Sequence, residues 1–484
     1  MTQLHTHSAD SEGVEPAGQT VTYAPAEQAG PGGPIERVMS TVIRKLSWSK
    51  LSNPAVAVTI SGVGLLLGML VGATAPNTET LPVKIGLSRF FPSLAHDNAV
   101  AMTLLYTGTI LACLGLAGML WAHSQGWRPN PRRLLLVSAG VVAVMVSLTP
   151  VGSSDVASYA AYGRIAVLHG NPYTTSPAAW LGAHSPYVHL VGYVWKTQPS
   201  VYGPIATVIQ ACAAWLGGSS PAATIWLLMI FNGAAFIGLG YLLLKTSDDP
   251  VRATLFWVAN PVLLLALVAG GQIDTFVALA AICSIQVARK FSGTWGDIAV
   301  GVLIGIGCGI KVTAVLIGLG LAWPLLLRRE WMRTARMAAA ALATVAFEYS
   351  FAGLNALKPM IGGTRWVIMP SPWRLFQMAA EALGMHQGTT SILITCLWPL
   401  AMLVVAWLIY QRISSDQPRE IVAPFALAFA WVLVAPWVFA WYTALAWATL
   451  TLVPRNRMTR WLTIVTVFLA LWLSGGGQTP PGRL

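Results

Sequence analysis

Apolar and polar stretches alternate along this chain on the length scale of a lipid bilayer. Runs of about 15–25 mostly apolar residues recur between residues 55 and 475, each closed by a short polar or basic stretch. The pattern predicts membrane-crossing helices near 55–74, 99–122, 133–151, 222–244, 252–270, 274–289, 297–310, 312–327, 334–352, 390–411, 421–435, 438–453 and 460–475. An open sheet cannot satisfy its backbone in lipid, so the expected class is an all-α polytopic membrane protein with about 12–14 spans. Residues 201–217 form a further apolar stretch, and parity along the chain works only if that stretch does not fully cross. The short 297–310 and 312–327 pair reads as broken helices, which are tolerated where they line a cavity or pack within protein.

Charge adds direction. Basic residues cluster in short connections: Arg37, Arg44, Lys45 and Lys50; Arg128, Arg132 and Arg133; Arg289 and Lys290; Arg328, Arg329 and Arg333; Arg412 and Arg419; Arg455, Arg457 and Arg460. The positive-inside rule assigns these to the cytoplasm and leaves 75–98, 152–200 and 353–389 outside. The net charge of +12 therefore reads as membrane topology and contact with anionic lipid, not as a nucleic-acid surface. Residues 1–35 are rich in Gly, Pro, Ala and acids, and no early apolar run follows Met1. The expected organisation is a disordered cytoplasmic tail (1–50) without a cleavable signal, a transmembrane body (51–475) and a short C-terminal tail (476–484). Composition agrees, with 55% hydrophobic and 10% charged residues among 484 and a mean hydropathy of +0.64. The five cysteines fall in apolar segments without a CxxC pair, so neither a disulfide frame nor a metal site is expected from them.

So apolar a chain has few acids that could do chemistry. Of the 17 acidic residues, Asp10, Glu12, Glu15, Glu27 and Glu36 lie in the tail. Asp248, Asp249, Asp297, Glu330, Asp416 and Glu420 lie in or beside connections assigned to the cytoplasm. Glu79 and Asp97 sit in a short polar loop and are expected to be solvated, and Glu381 lies near an exposed helix. Glu348 is inside a span, where a structural partner, a protonated state or catalysis are all open. Asp155 and Asp274 remain, each at the outer end of a span.

The residues around these two acids suggest a polar site. Tyr159, Tyr162, Ala166 and His169 recur at helical spacing after Asp155, as in an amphipathic surface helix that Ser154 or Asp155 would cap. Gly170-Asn-Pro-Tyr173 then makes a turn-rich crossing. Gly270-Gly271-Gln272-Ile273-Asp274 offers close backbone approach, a carboxamide and a carboxylate for sugar hydroxyls, or else simply a helix end followed by a helix start. Lys311, alone between two apolar half-spans, either snorkels or holds a lipid phosphate. The third outer segment is basic, and its Arg365-Trp366 and Trp373-Arg374 pairs suit a phosphate beside a prenyl chain or a sugar. Trp437, Trp441 and Tyr442 form an aromatic belt or a stacking wall. P-loop, HExxH, DxD and GxSxG motifs are absent from the sequence, no cofactor is called for, and a divalent cation is not indicated.

The pattern Asp155-Val-x-Ser-Tyr-x-x-Tyr-Gly-Arg164 followed by Gly-Asn-Pro-Tyr, with Gly-Gly-Gln-x-Asp274, Ile-Lys311-Val-Thr and Trp441-Tyr442, resembles the GT-C integral membrane glycosyltransferases. Across roughly residues 50–475 it is most similar to the polyprenyl-phosphomannose-dependent α-1,6-mannosyltransferases of actinobacterial lipomannan synthesis, the MptA/MptB type. The resemblance implies a GT-C catalytic domain in the inner membrane that works on the extracytoplasmic side. Mannose would pass from a polyprenyl phosphomannose to a mannan or phosphatidylinositol mannoside acceptor, with inversion. Asp155 would be the general base. Lys311, Arg365 and Arg164 would bind the donor phosphate, and Tyr159, Tyr162, Gln272, Asp274, Trp366, Trp441 and Tyr442 would bind sugar or acceptor. Gly-Gln-Ile-Asp274 departs from the His-Asn-Asp or Gly-Gln-Asn of relatives, and Ala440-Trp-Tyr from their Pro-Trp-Tyr. An arabinofuranosyl- or phosphatidylinositol-mannoside-type transferase, or a transporter or flippase with broken helices, are the competing expectations.

Overall fold

The computed structural model describes residues 53–94, 98–359, 366–369, 371–413 and 416–473. The expected tails, Asp97 and Arg365 lie outside these residues. The protein is helical throughout, and a single antiparallel bridge between Thr80 and Val151 is the one β-pairing among the described residues. In chain order the helices are α1 (Pro54–Ala73), α2 (Asn98–Ser124), α3 (Pro131–Met145), α4 (Asp155–Val167), α5 (Pro177–Leu181), α6 (Pro186–Leu190), α7 (Pro204–Gly217), α8 (Pro221–Thr246), α9 (Pro250–Phe256) and α10 (Pro261–Leu263). There follow α11 (Asp274–Lys290), α12 (Thr294–Ile310), α13 (Val315–Leu327), α14 (Trp331–Ala352), α15 (Pro372–Ala382), α16 (Gln387–Arg412), α17 (Arg419–Val434), α18 (Thr443–Leu450) and α19 (Met458–Leu473).

Many of these helices begin with the same device. A short polar residue caps the first turn and proline follows, where its fixed φ and missing N–H cost nothing. Asn53, Asn130, Ser176, Ser220, Asp249, Asn260 and Ser371 all accept from first-turn amides in this way. Packing relies on small residues. Gly64 and Gly108 let α1 and α2 approach so closely that a Cβ at either would lie 2.7–2.8 Å from the other's carbonyl oxygen. Along α12, Gly301, Gly305 and Gly309 make a groove into which α14 seats Met337, Thr344 and Glu348. At the other end of this pair, Asp297 is buried and bound by Arg333 (3.1 Å) and Arg336 (2.6 Å).

Among the described residues, five helical stretches are long and apolar enough to cross a membrane: Pro54–Ala73, Ala99–Ser124, Pro221–Thr246, Pro250–Ala269 and Gln387–Arg412. Four shorter apolar helices accompany them: Pro204–Gly217, Thr294–Ile310, Val312–Leu327 and Met458–Trp472. The remaining expected spans are interrupted or more polar. The run predicted over 133–151 leaves the helix after Met145, and the late aromatic run breaks between Val434 and Ala440. The stretch 201–217 is a 14-residue helix, about 21 Å long at 1.5 Å per residue and so shorter than a ~30 Å hydrocarbon core. The surface of α16 is the most lipid-like, with Leu400, Leu403, Val404 and Trp407 exposed. At the centre lies α17, buried on all sides from Ile421 to Val432.

Candidate functional site

The site forms where helices break. Residues 149–152 are held on both sides as extended chain. The Thr149 amide donates to Ser88 Oγ (2.7 Å), the Gly152 amide to the Glu79 carbonyl (3.1 Å) and the Val151 amide to the Ala269 carbonyl (2.9 Å). The expectation that Glu79 is solvated is corrected here: the residue is buried, since its loop folds down onto Gly152, and burial pushes its carboxyl above the usual range. This clamp delivers the chain into α4 with Asp155 in the first turn, its amide taken by Ser153 Oγ (3.1 Å). There the helix dipole favours a carboxylate.

Burial opposes that preference. The half-buried Asp155 carboxyl is pushed up to about 6, chiefly by desolvation. The Lys311 charge works against the rise, the Asp274 charge adds to it, and Gln272 and Ser153 favour the ionised form. Gln272 Nε2 is buried, and it favours that form from nearby without full hydrogen-bond geometry to any acceptor. Tyr159, one turn on from Asp155, donates to Gln272 Oε1 (3.3 Å) and packs edge-on against Tyr202, with ring centroids 5.0 Å apart.

Gln272 is fixed by a second break. After α10 the backbone widens into a π-helical turn over Leu264–Ala269, a form that often marks functional positions. The Leu267 carbonyl then accepts from the Gln272 amide (2.9 Å) and from Asn232 Nδ2 (3.1 Å), while Asn232 Nδ2 also binds the Gln272 carbonyl (2.8 Å). Gly271 has φ +65°, and a Cβ there would press on Met229 Sδ at 2.7 Å, so the turn requires glycine. Asp274 then opens α11, buried, with both carboxylate oxygens on Lys311 Nζ at 2.8 and 3.0 Å.

Lys311 comes from the third break. It is an extended residue (φ −154°, ψ 135°) between α12 and a 3-10 turn over Val312–Ala314, as expected for a broken helix. Its Nζ also sits 3.9 Å from the centroid of the Tyr442 ring, which stacks on Trp431. Held on two sides, Tyr442 supports the ammonium rather than offering a free stacking face. From Tyr442 an aromatic chain runs through Trp441, Phe439, Trp437 and Trp366 to Trp195, with neighbouring ring centroids 4.5–6.2 Å apart. An apolar cleft opens beside it, lined by residues that include Leu105, Val262, Leu265 and Trp441 as well as Ser153 and Gly270.

The structure thus gathers Asp155, Tyr159, Gln272, Asp274, Lys311 and Tyr442. Two expected site residues serve elsewhere. Tyr162 is fully buried and donates to the Gln198 carbonyl (3.0 Å), fastening the 152–200 segment. Arg164 lies nine residues beyond Asp155 along α4, about 14 Å of helix, and donates to the Gly218 carbonyl (3.1 Å) at the end of α7. Trp366 is wedged between Trp195 and Trp437. Asn232 and Tyr202 escaped the sequence reading. An asparagine within the apolar run 222–244 was the one signal for the first.

Comparison with known proteins points the same way. The chain is 26% identical over 290 residues to a probable alpha-(1->6)-mannopyranosyltransferase of Mycolicibacterium smegmatis, covering 57% of this chain and 46% of the relative. It is 26% identical over 307 residues to alpha-(1->6)-mannopyranosyltransferase B of Corynebacterium glutamicum, covering 57% and 48%. It therefore spans about half the length of these curated relatives. No solved structure matches it. Residues 55–328, which carry Asp155, Gln272, Asp274 and Lys311, match the family model described as alpha-(1->6)-mannopyranosyltransferase, N-terminal domain, and the chain belongs to that family.

Proposed function

We propose that this multi-pass membrane protein is a glycosyltransferase that moves mannose from a polyprenyl phosphomannose to the 6-hydroxyl of an α-1,6-mannan acceptor of the lipomannan type. The observation that carries this reading is the half-buried Asp155 carboxyl beside an Asp274–Lys311 pair, two residues along the chain from Ser153 in the lining of an apolar cleft. The cleft suits a prenyl chain, and a lysine over Tyr442, next to the lining residue Trp441, suits a phosphate. The names of both relatives favour mannosyl transfer over transport.

In this reaction the acceptor oxygen attacks the anomeric carbon of a β-linked donor from the face opposite the phosphate. The bond from that carbon to the phosphate oxygen breaks, and its electron pair leaves with the polyprenyl phosphate. The acceptor proton passes to Asp155, and the product is α-linked. General-base help of this kind contributes about 10²–10⁴ in rate. Charge develops on the leaving phosphate, where a fixed cation acts most strongly in a water-poor site. Lys311 supplies that cation, with Arg365 as a second candidate. Tyr159 and Gln272 present a hydroxyl and a carboxamide to the sugars. The site would face the extracytoplasmic side of the inner membrane, because the basic connections lie at the other ends of the helices.

The test is Asp155→Asn in purified protein given polyprenyl phosphomannose and a synthetic α-1,6-mannoside. Transfer should fall at least 100-fold, the lower bound of about 10² for base catalysis, with donor binding kept. Substantial residual transfer by the variant overturns Asp155 as base. A new glycosidic bond made by the wild type excludes a transporter, and linkage analysis of the product separates α-1,6-mannosyl transfer from arabinofuranosyl transfer.

A further inference from the structure

Glu348 has no partner in the machinery just described. It lies one turn before the end of α14, is 6% exposed, and neither carboxyl oxygen meets a hydrogen-bond partner. Leaving such a group buried and unmatched is costly, which marks it as a place where a ligand completes the bonding. The carboxyl itself is seated against a glycine. Gly309, the last of the three glycines facing α14, contacts the carboxyl so closely that any side chain at 309 would collide with it. Hydroxyl groups cluster in the same place. Tyr173 packs with Tyr349 and Ala352 on α14, and its hydroxyl pairs with Thr207 Oγ1 on α7 at 2.6 Å. The Asn-Pro-Tyr turn that carries Tyr173 is pinned there by Asn171 Nδ2, which donates to the Ala352 carbonyl (3.1 Å).

This second polar centre flanks the same helix end as the first. Gly309 precedes Lys311 by two residues, so α12 terminates between the two groups. Lys311 reaches toward α11 and Tyr442, the side of the cleft. Glu348 lies instead against α7, where the Gly203 amide binds the Ile310 carbonyl (3.1 Å). With donor phosphate and prenyl chain on the Lys311 side, the opposite flank is left for the acceptor.

We infer that Glu348, with the Tyr173–Thr207 hydroxyl pair, forms a subsite for a mannose unit of the acceptor chain beyond the one being extended. A carboxyl group can bind two adjacent sugar hydroxyls, and a tyrosine and a threonine hydroxyl can each donate or accept toward a third. The inference rests on the mannosyl-transfer reading and assigns the site an acceptor-length preference.

The experiment compares a monomannoside and a linear α-1,6-trimannoside as acceptors for the full-length protein, with polyprenyl phosphomannose as donor. Glu348→Gln should lower kcat/KM for the trimannoside by about 10–100-fold. The monomannoside should change by less than about threefold, and the donor KM should stay unchanged. Tyr173→Phe should shift the ratio in the same direction by a smaller factor, and it serves if the Glu348 variants do not fold. An equal drop on both acceptors, an unchanged ratio, or an altered donor KM overturns the subsite. If the wild type forms product yet shows no length effect in these variants, only the subsite falls. If the wild type transfers mannose to neither acceptor, the underlying function falls and takes the subsite with it.

Discussion

Replacing Lys311 by methionine changes the charge balance at the site while roughly keeping the side chain's length. At 2.8 Å, the attraction between Lys311 and Asp274 is about 6 kcal/mol for an effective dielectric constant of about 20, before desolvation is subtracted. Removing one partner of a buried pair leaves the other uncompensated and usually costs about 3–5 kcal/mol. The variant should therefore melt at lower temperature in detergent. The double variant Lys311→Met with Asp274→Asn should recover much of that loss, because no lone charge remains. The kinetic consequence has a definite sign. Lys311 holds the Asp155 carboxyl down and Asp274 holds it up, against a value of about 6 in the intact site. Without the lysine, the acidic limb of the kcat/KM profile should move upward from about 6 by roughly one unit, the lower end of the effect of a close opposite charge. Asp274→Asn alone should move the limb downward, because it removes a like charge and frees the lysine to act on Asp155. The assay is mannosyl transfer at subsaturating acceptor from pH 5 to 9, read by product separation. A limb that stays put in both variants, or moves down in Lys311→Met, refutes Asp155 as the titrating base.

Other outcomes follow from single contacts. A carboxyl that binds its proton more tightly in the folded state than its ordinary 3.8 lowers stability as pH rises toward about 6. Asp155→Asn should accordingly raise the melting temperature at pH 8 and lose most of that gain at pH 4, as thermal melts at the two values would show. Asn232→Leu removes the amide that holds the Gln272 and Leu267 carbonyls. Losing these two buried hydrogen bonds should lower stability by about 1–3 kcal/mol and reduce kcat with little change in donor KM, measured by melting and steady-state kinetics. Gly309→Ala drives a methyl group into the Glu348 carboxyl; a melting scan should report about 1–3 kcal/mol of overpacking, and acceptor-length discrimination should weaken as in Glu348→Gln. Tyr442→Leu strips the ring beneath Lys311 Nζ and should raise donor KM several-fold, since a desolvated cation–π contact is worth about 2 kcal/mol.

The helical plan was legible because lipid imposes it. Apolar runs of bilayer length leave few other structures, and the polar-residue–proline pairs that start many helices are visible as letters. Even the break at Lys311 could be anticipated, because a lone cation between two glycine-bearing half-spans has no place in a continuous apolar helix. The π-turn over Leu264–Ala269 left no such trace: it depends on Asn232 from α8 capturing carbonyls that the wider turn releases. Helix ends were less legible for a related reason. Hydropathy measures the length of an apolar run, yet Met145 and Val434 end helices inside such runs where the backbone turns toward the site. Asp155, Asp274 and Lys311 could each be singled out as costly in a membrane, but their mutual approach is set by three separate breaks in the fold. For the same reason Tyr162 shared the sugar-binding expectation of Tyr159, and Arg164 the phosphate-binding one of Lys311, although of the three helix residues only Tyr159, one turn from Asp155, bonds Gln272.

On the proposed mannosyl-transfer reading, the pairing of Asp274 favours Asp155 as the base. Two acids that share one site take different roles when their surroundings push their proton affinities apart. Asp274 has both oxygens committed to Lys311, so accepting a proton there means breaking a short bidentate ion pair in a buried setting. Asp155 has no such commitment. Its amide is capped by Ser153, its carboxyl lies at the start of α4, and burial sets it at about 6, within reach of the operating pH of a base. On that reading Asp274 would act on the other reactant, by holding the Lys311 ammonium over Tyr442 where a leaving phosphate would gather charge. Restoring a cation as Lys311→Arg should then rescue Lys311→Met only in part, because a planar guanidinium cannot keep both the Asp274 carboxylate and the Tyr442 face at the geometry the ammonium holds. Partial rescue of the rate with full return of the acidic limb toward 6 would separate the two duties of that lysine: charge near Asp155, which any cation supplies, and alignment toward the phosphate, which it alone provides.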